Sequence, residues 1–267
     1  MLNFNNKKIN QLIANFITYM TDPKHDNGKQ KINVDQDLQI HHIDSLASKS
    51  NLNIVISSYI LTPVQQEQAK KIIKQYHEAN ESFTWCTITE DNQQLDRDFY
   101  QQQGLEHFET AQVMLLDLNN FNMTNDLAEN ITFQTINSPE DVKKVKNVIH
   151  NAFDLALIDL AKYQSLFEIN QDEKISYFTI LTQDNQPATT GNLYLESELA
   201  IVDDIATHQN FQKQGFAKAM LIHLLNYAKT KGYQTVGLIA TPDGFPLYKK
   251  LGFVEQEVYI NVYTMNY

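Results

Sequence analysis

The sequence predicts an α/β protein with a mixed sheet and flanking helices in each half of the chain. Three observations lead there. Strand-like runs alternate with amphipathic helical stretches throughout. A polar, asparagine-rich segment, NNFNMTNDLAEN at 119–130, divides the chain near its middle. Each half closes on one pattern, apolar-Tyr-x-x-x-Gly-apolar, as Phe99-Tyr100 before Gly104-Leu105 and Leu247-Tyr248 before Gly252-Phe253. A pattern repeated at the matching place favours a duplicated domain. The 267 residues suit two domains, with expected bounds 1–120 and 129–267.

The elements follow in order. In MLNFNNKKINQLIANFITYM, Ile9, Leu12, Ile13, Phe16, Ile17 and Met20 repeat at helical spacing. Polar residues interrupt them, so the segment reads as an amphipathic helix and not as a signal peptide. LQIHHI and LNIVISSYI are strand-like. TPVQQEQAKKIIKQYHEAN is a helix, with Thr62 as N-cap and Pro63 at its first position. FTWCTI is a strand, LDRDFYQQQG a helix and LEHFETAQVMLLDL a long strand.

The second half opens with a strand at 131–136. Ser138-Pro139 starts a helix with acids in its first turn, and helical patterning runs to about 168. ISYFTILTQ and TGNLYLE form a hairpin around DNQPA. LAIVDDIATH, 199–208, is the next strand. A helix over 214–231 carries Ala217, Met220, Leu221, Leu224, Leu225 and Ala228 as one apolar stripe and stops at Gly232. YQTVGLIA is a strand, PLYKKLGF a short helix closed by Gly252, and 253–265 the last strand.

Composition narrows the function. The net charge is −11 with one arginine in the chain, which counts against a broad nucleic-acid interface. An acidic surface suits a cationic or neutral substrate better. The single cysteine, Cys86, excludes an intramolecular disulfide and reads as a buried thiol in an apolar strand. No apolar run reaches the roughly 20 residues that span a bilayer, so the expected location is cytoplasmic, with no membrane contact. The sequons at Asn80, Asn122 and Asn130 then count as chance matches. His41 and His42 are neighbours on a strand and point to opposite faces, so no metal site is expected.

The chain has only eight glycines, and one stands in FQKQGFAKAM, where a strand gives way to a helix. The first turn of a helix offers unpaired N–H groups and the positive end of the dipole, a geometry that binds phosphate. Gly215 lets the backbone approach a diphosphate, because no Cβ intrudes. Ala217 keeps the approach open, and Lys213 and Lys218 add charge. The loop by itself reads equally as a plain turn before a helix, since short glycine patterns recur widely.

Its surroundings carry more. The run from Asp203 through the helix, followed by VGLIATPDGFPLYKKLGF, resembles the GNAT superfamily of acyl-CoA-dependent N-acyltransferases. The family's Gln/Arg-x-x-Gly-x-Gly/Ala loop is met by Gln212, Gly215 and Ala217. Its apolar-Tyr-x-x-Leu-Gly-Phe helix is met by Leu247 to Phe253. The resemblance covers 131–267. The first half resembles a degenerate GNAT domain without that loop, and its Phe83, Trp85, Met114, Asp117 and Leu118 match the leading domain of two-domain bacterial members. Such a domain is expected to complete the substrate cleft.

The resemblance implies an α/β GNAT fold in tandem and an acetyl-CoA-dependent N-acetyltransferase with no metal. It implies that the backbone of Ile205, Ala206 and Thr207 bonds the pantetheine arm like an added strand. Amides of Lys213, Gln214, Gly215, Phe216, Ala217 and Lys218 would hold the diphosphate beside Gln212. Tyr248 matches the family's general acid. Asp203 is the candidate base, with Asp204, Glu196 or a water-mediated route as alternatives. Simple alternation puts Asp203 on one face with Ile201, Ile205 and Thr207. His208 reads as a loop histidine. Where many members carry an asparagine this chain has TPDGFP, which leaves Thr241 or Asp243 to substitute. The expected acceptor is a primary amine on a small molecule, with a protein N-terminus or lysine as the alternative, and its site is expected around 150–170. A non-catalytic acyl-CoA-binding or regulatory module is a rival that the intact Tyr248 argues against. A tRNA-dependent tandem-GNAT transferase is another, and it should show a basic groove.

Overall fold

A computed structural model describes residues 4–21, 31–35, 38–44, 53–58, 62–90, 97–153, 176–195 and 198–266. The helical patterning expected beyond 153 lies outside the described residues, as do Glu196 and most of the expected acceptor region. The described chain forms two compact units. The first comprises Met1–Met114, Ile239–Lys250 and Glu255–Tyr267; the second comprises Leu115–Leu238 and Leu251–Val254.

The first unit begins with helix α1 (Lys7–Thr21), followed by strands β1 (Lys31–Asp35), β2 (Ile40–Asp44) and β3 (Ile54–Ser58). Helix α2 (Pro63–Ala79) is entered through a capping box. The Thr62 hydroxyl accepts from the Gln65 amide, and the Gln65 side chain accepts from the Thr62 amide. Strand β4 (Phe83–Thr89), helix α3 (Arg97–Gln102) and strand β5 (Glu106–Asp117) complete the first half. Strand β1 is an addition to the expected elements. KINVD has only two apolar residues, too few to announce a strand.

The C-terminal strand β11 (Val254–Met265) pairs antiparallel with β4, Tyr263 opposite Trp85 and Met265 opposite Phe83. The strand order in this unit is β1-β2-β3-β4-β11-β5. Tyr263 and Met265 thus join Trp85, Tyr100, Ile72 and Tyr76 in one buried core. Cys86 is half-buried in β4.

The second unit holds β6 (Ile131–Thr135), α4 (Pro139–Phe153), β7 (Ser176–Gln183), β8 (Gln186–Tyr194), β9 (Ala200–Thr207), α5 (Phe216–Thr230) and the start of β10 (Thr235–Ala240). The order is β10-β9-β8-β7-β6. Leu115–Leu118 runs beside β10, and the Leu118 amide donates to the Gln234 carbonyl at 2.9 Å. Ser138 caps α4 as expected: its hydroxyl accepts from the Asp141 amide at 3.2 Å and donates to the Asp141 carboxylate at 2.8 Å. The β7–β8 turn is tighter than expected. Asp184 and Asn185 adopt φ of 51° and 62°, a conformation these residues tolerate, and the strand resumes at Gln186.

The asparagine-rich segment after β5 lies along α5. Lys229 donates to the Phe121 carbonyl at 2.7 Å, Asn226 to that of Met123 at 3.0 Å, and Asn125 to that of Ala219 at 2.9 Å. Among the described residues no helix is long and apolar enough to cross a membrane.

Candidate active site

In the second unit the site residues gather where β9 ends and α5 begins. β9 and β10 run parallel, but their register covers only Ala200 opposite Val236 and Ile201 opposite Gly237. From Val202 onward β9 leaves that ladder. On its other side β8 continues, with Thr190 opposite Ala206 and Thr189 opposite Thr207. The backbone of Ile205, Ala206 and Thr207 therefore has one edge taken by β8 and one facing the divergence.

A bulge re-aims this stretch. Asn192 faces Asp203 and Thr190 faces Ala206, so Asp204 and Ile205 together oppose Gly191. Asp204 takes φ of 53°, and its carbonyl accepts from the Thr190 hydroxyl at 3.0 Å. The extra residue corrects the simple alternation. Asp203 shares a face with Ala206, which packs with Val145, Val148 and Ile149 of α4. Ile205 turns to the opposite face, where Gly191 admits Met220 and Leu224 of α5. The Asp203 carboxylate is half-buried and accepts from the Asp204 amide at 2.9 Å.

The loop after β9 is held by its own polar groups. The His208 amide donates to the Ala188 carbonyl at 2.9 Å, and the His208 ring caps a single 3-10 turn, Gln209–Phe211. The Gln212 side chain reaches back to the Thr207 carbonyl at 3.2 Å. Lys213 (φ 61°) and Gly215 (φ 89°) are both left-handed, so successive amides curl into a concave turn. No side chain caps α5. A Cβ placed on Gly215 would meet no atom within 4 Å. Lys213, Gln214, Gly215 and Lys218 are exposed, Ala217 is half-buried, and Phe216 is buried and anchors the first turn. An uncapped helix start, an open glycine and two lysines suit a diphosphate.

Tyr248 belongs to the first unit, on helix α6 (Phe245–Lys250). The turn before α6 is built by Thr241, whose carbonyl accepts from the amides of Gly244 at 3.1 Å and Phe245 at 3.0 Å. The half-buried Tyr248 ring lies against Gly244. Asp243, in the same turn, acts on Glu109 of β5. Burial and the Asp243 charge together push the half-buried Glu109 carboxyl above its ordinary range. Sequence reasoning passed over Gly244 and Glu109. The only signal for Gly244 was a glycine four residues before the tyrosine.

The repeated pattern has a structural counterpart. α3 and α6 are both six-residue helices, followed by left-handed glycines, Gly104 (φ 86°) and Gly252 (φ 97°), and then by twelve-residue strands. Their tyrosines differ. Tyr100 is fully buried, stacked on Tyr263 with ring centroids 4.6 Å apart, whereas Tyr248 is half-buried.

Among the described residues no three His, Cys, Asp or Glu side chains converge as metal ligands.

The profile of the acetyltransferase (GNAT) family matches residues 147–253. An uncharacterised N-acetyltransferase, ycf52, of Gracilaria tenuistipitata var. liui is 28% identical over 42% of this chain and 52% of its own length. The [ribosomal protein bS18]-alanine N-acetyltransferase of Escherichia coli K12 is 29% identical over 38% of this chain and 69% of its own. In fold, the chain is similar to a GCN5-related N-acetyltransferase from Kribbella flavida, with a TM-score of 0.67 over 95% of this chain and 94% of that one at 12% identity. It is also similar to a tandem GNAT protein from the clavulanic acid biosynthesis pathway, with a TM-score of 0.60 over 85% and 78% of the two chains at 11% identity. The strand order, the glycine-entered helix and the family match lead to one conclusion: residues 147–253 match the acetyltransferase (GNAT) family, and the chain has the fold of GNAT proteins, a tandem one among them.

Proposed function

We propose that the protein transfers an acetyl group from acetyl-CoA to a primary amine on a small molecule, by direct attack with both substrates bound. The observation that carries this reading is the end of β9. A strand leaves its parallel neighbour at Ile201, and eight residues past Thr207 an uncapped helix starts from an open glycine. The diverging edge of Ile205 to Thr207 suits an amide-bearing arm, which adds like a strand. The amides of Lys213 to Lys218 suit the diphosphate.

In this reading the amine nitrogen attacks the thioester carbonyl carbon, and the carbon–sulfur bond breaks. The Tyr248 hydroxyl gives its proton to the leaving thiolate. The Asp203 carboxylate takes the proton lost by the amine, directly or through a water. Orientation of the two substrates supplies much of the rate. The acidic chain, at net charge −11, favours approach of a cationic acceptor.

A protein N-terminus as acceptor is the second reading. It is favoured by the relative whose name specifies the alanine of a ribosomal protein. One assay separates the two: free-CoA release from acetyl-CoA with polyamines, aminoglycosides and amino acids in one arm, and peptides with free N-termini in the other. Release with a small amine supports the first reading. Release with peptides alone replaces it with the second. A chain that shows no binding of acetyl-CoA by calorimetry refutes both.

A further inference from the structure

The first unit contains a cavity of about 530 Å³, between α3 and the start of β5, that the acetyl-transfer reading does not use. Its size is within the roughly 300–1,000 Å³ of small-molecule pockets. Arg97 and Gln101, one turn apart on α3, line one side. Glu106 and His107 of β5 line the other, next to the buried Leu105.

Arg97 is the single arginine of a chain with net charge −11. It is half-buried, and none of the ion pairs among the described residues includes it. Its polar side-chain contact there is with His107, Nη2 standing 3.5 Å from Nε2. That contact does not satisfy it. The Thr110 hydroxyl donates its one hydrogen to Asn261 Oδ1 at 2.8 Å. Toward His107 Nε2, 3.0 Å away, the same hydroxyl can only accept, so Nε2 carries a hydrogen. Arg97 and His107 therefore present two N–H donors to each other. The pair is held in this arrangement, because the edge of the His107 ring meets Tyr263 with centroids 5.5 Å apart and Asn261 is buried in β11. A half-buried guanidinium without an acceptor is costly, and an acceptor supplied from outside removes that cost.

The rest of the lining selects the acceptor. A guanidinium is a planar fork that matches two oxygens of a carboxylate or a phosphate. Glu106, exposed in the same lining, and Asp98, exposed beside Arg97, both repel an anion. They repel a dianion about twice as strongly as a monoanion. A carboxylate fits this balance better than a phosphate.

We infer that this cavity binds a small monocarboxylate, its two oxygens on the Arg97 fork beside His107. The full-length chain is titrated against fluoroacetate and followed by fluorine NMR line width, with the neutral isostere fluoroacetamide as control. The expected result is saturable broadening of fluoroacetate and none of fluoroacetamide, with acetate displacing the probe at lower concentration than inorganic phosphate. Arg97→Gln should lower the affinity about tenfold or more. Glu106→Gln should raise it, a gain that a purely structural role for Arg97 would not produce. This exposed substitution also keeps the test decisive if Arg97→Gln does not fold. Lys213→Gln, in the proposed diphosphate loop, should leave the affinity unchanged. No saturation, equal binding of fluoroacetamide, tighter displacement by phosphate than by acetate, unchanged affinity in Arg97→Gln or in Glu106→Gln, or loss only in Lys213→Gln would each overturn the inference.

Discussion

Gly244 and Tyr248 touch across one turn of chain. A Cβ on Gly244 would stand 2.7 Å from Cε2 of the Tyr248 ring, 3.2 Å from Cζ and 3.3 Å from the hydroxyl oxygen. Only a residue without a side chain leaves the phenol where it is. Because Gly244 does not adopt a left-handed conformation, alanine is compatible with its backbone, and the ring is what must move. Gly244→Ala should therefore lower kcat by about 10- to 100-fold, because it displaces the proposed proton donor and misplacing a reacting group by about 1 Å costs up to about 100-fold. Thermal stability should hardly change. Unaltered kcat would show that the phenol's position is unimportant.

The two tyrosines of the repeated pattern should fail in different ways. Tyr248→Phe removes the proposed proton donor and should reduce kcat by about 100-fold or more, with the fold intact. Tyr100→Ala should cost about 3–5 kcal/mol of stability, because Tyr100 is fully buried among Trp85, Phe99 and Tyr263. Urea unfolding and steady-state kinetics on both variants check the contrast. Full activity in Tyr248→Phe would remove the acid assignment.

Gly191 allows α5 to lie on β8. An added Cβ would fall 2.8 Å from Cγ of Met220 and 2.9 Å from Cδ1 of both Ile205 and Leu224. Met220 and Leu224 are fully buried, so they have little room to yield. Gly191→Ala should destabilise the protein by about 1–3 kcal/mol through overpacking. Denaturant midpoints measure this directly, and an unchanged midpoint would contradict the packing.

Asp141 should make the protein sensitive to acid. Burial alone would raise its carboxyl. Bonds from Lys144, Ser138 and the Asn137 amide, with the Lys144 charge, nevertheless hold it below the usual aspartate range. A depressed folded-state pKa gives stability that is present above the unfolded value of about 3.9 and is lost as pH falls through the folded pKa. Thermal melts from pH 6 to pH 2 should show wild type losing stability over this window more steeply than Asp141→Asn. Parallel curves would mean that the carboxylate is not held ionised by the fold.

Much of this architecture is local and was legible in sequence for that reason. Thr62 and Ser138 cap their helices because a hydroxyl three residues ahead satisfies an amide whatever surrounds it. Gly104, Gly215 and Gly252 stand at left-handed positions that other residues rarely adopt. The placement of Gly215 between β9 and α5, with Tyr248 on the helix after β10, is likewise a matter of order along the chain.

The tertiary structure decided what depends on partners. The bulge at Asp204 exists because β9 must pair with β8 on both sides of Gly191, and it moved Asp203 to the face of Ala206 against simple alternation. Gly244 became a candidate positioning residue only when the ring of Tyr248 was seen against it. β11 reads in sequence as a strand, but its seat beside β4 follows from burying Tyr263 and Met265 with Trp85 and Tyr100. Periodicity along a chain says which face of a strand is apolar. It does not say which distant surface will cover that face, because that is set by the shape and area of the other surfaces competing to leave water.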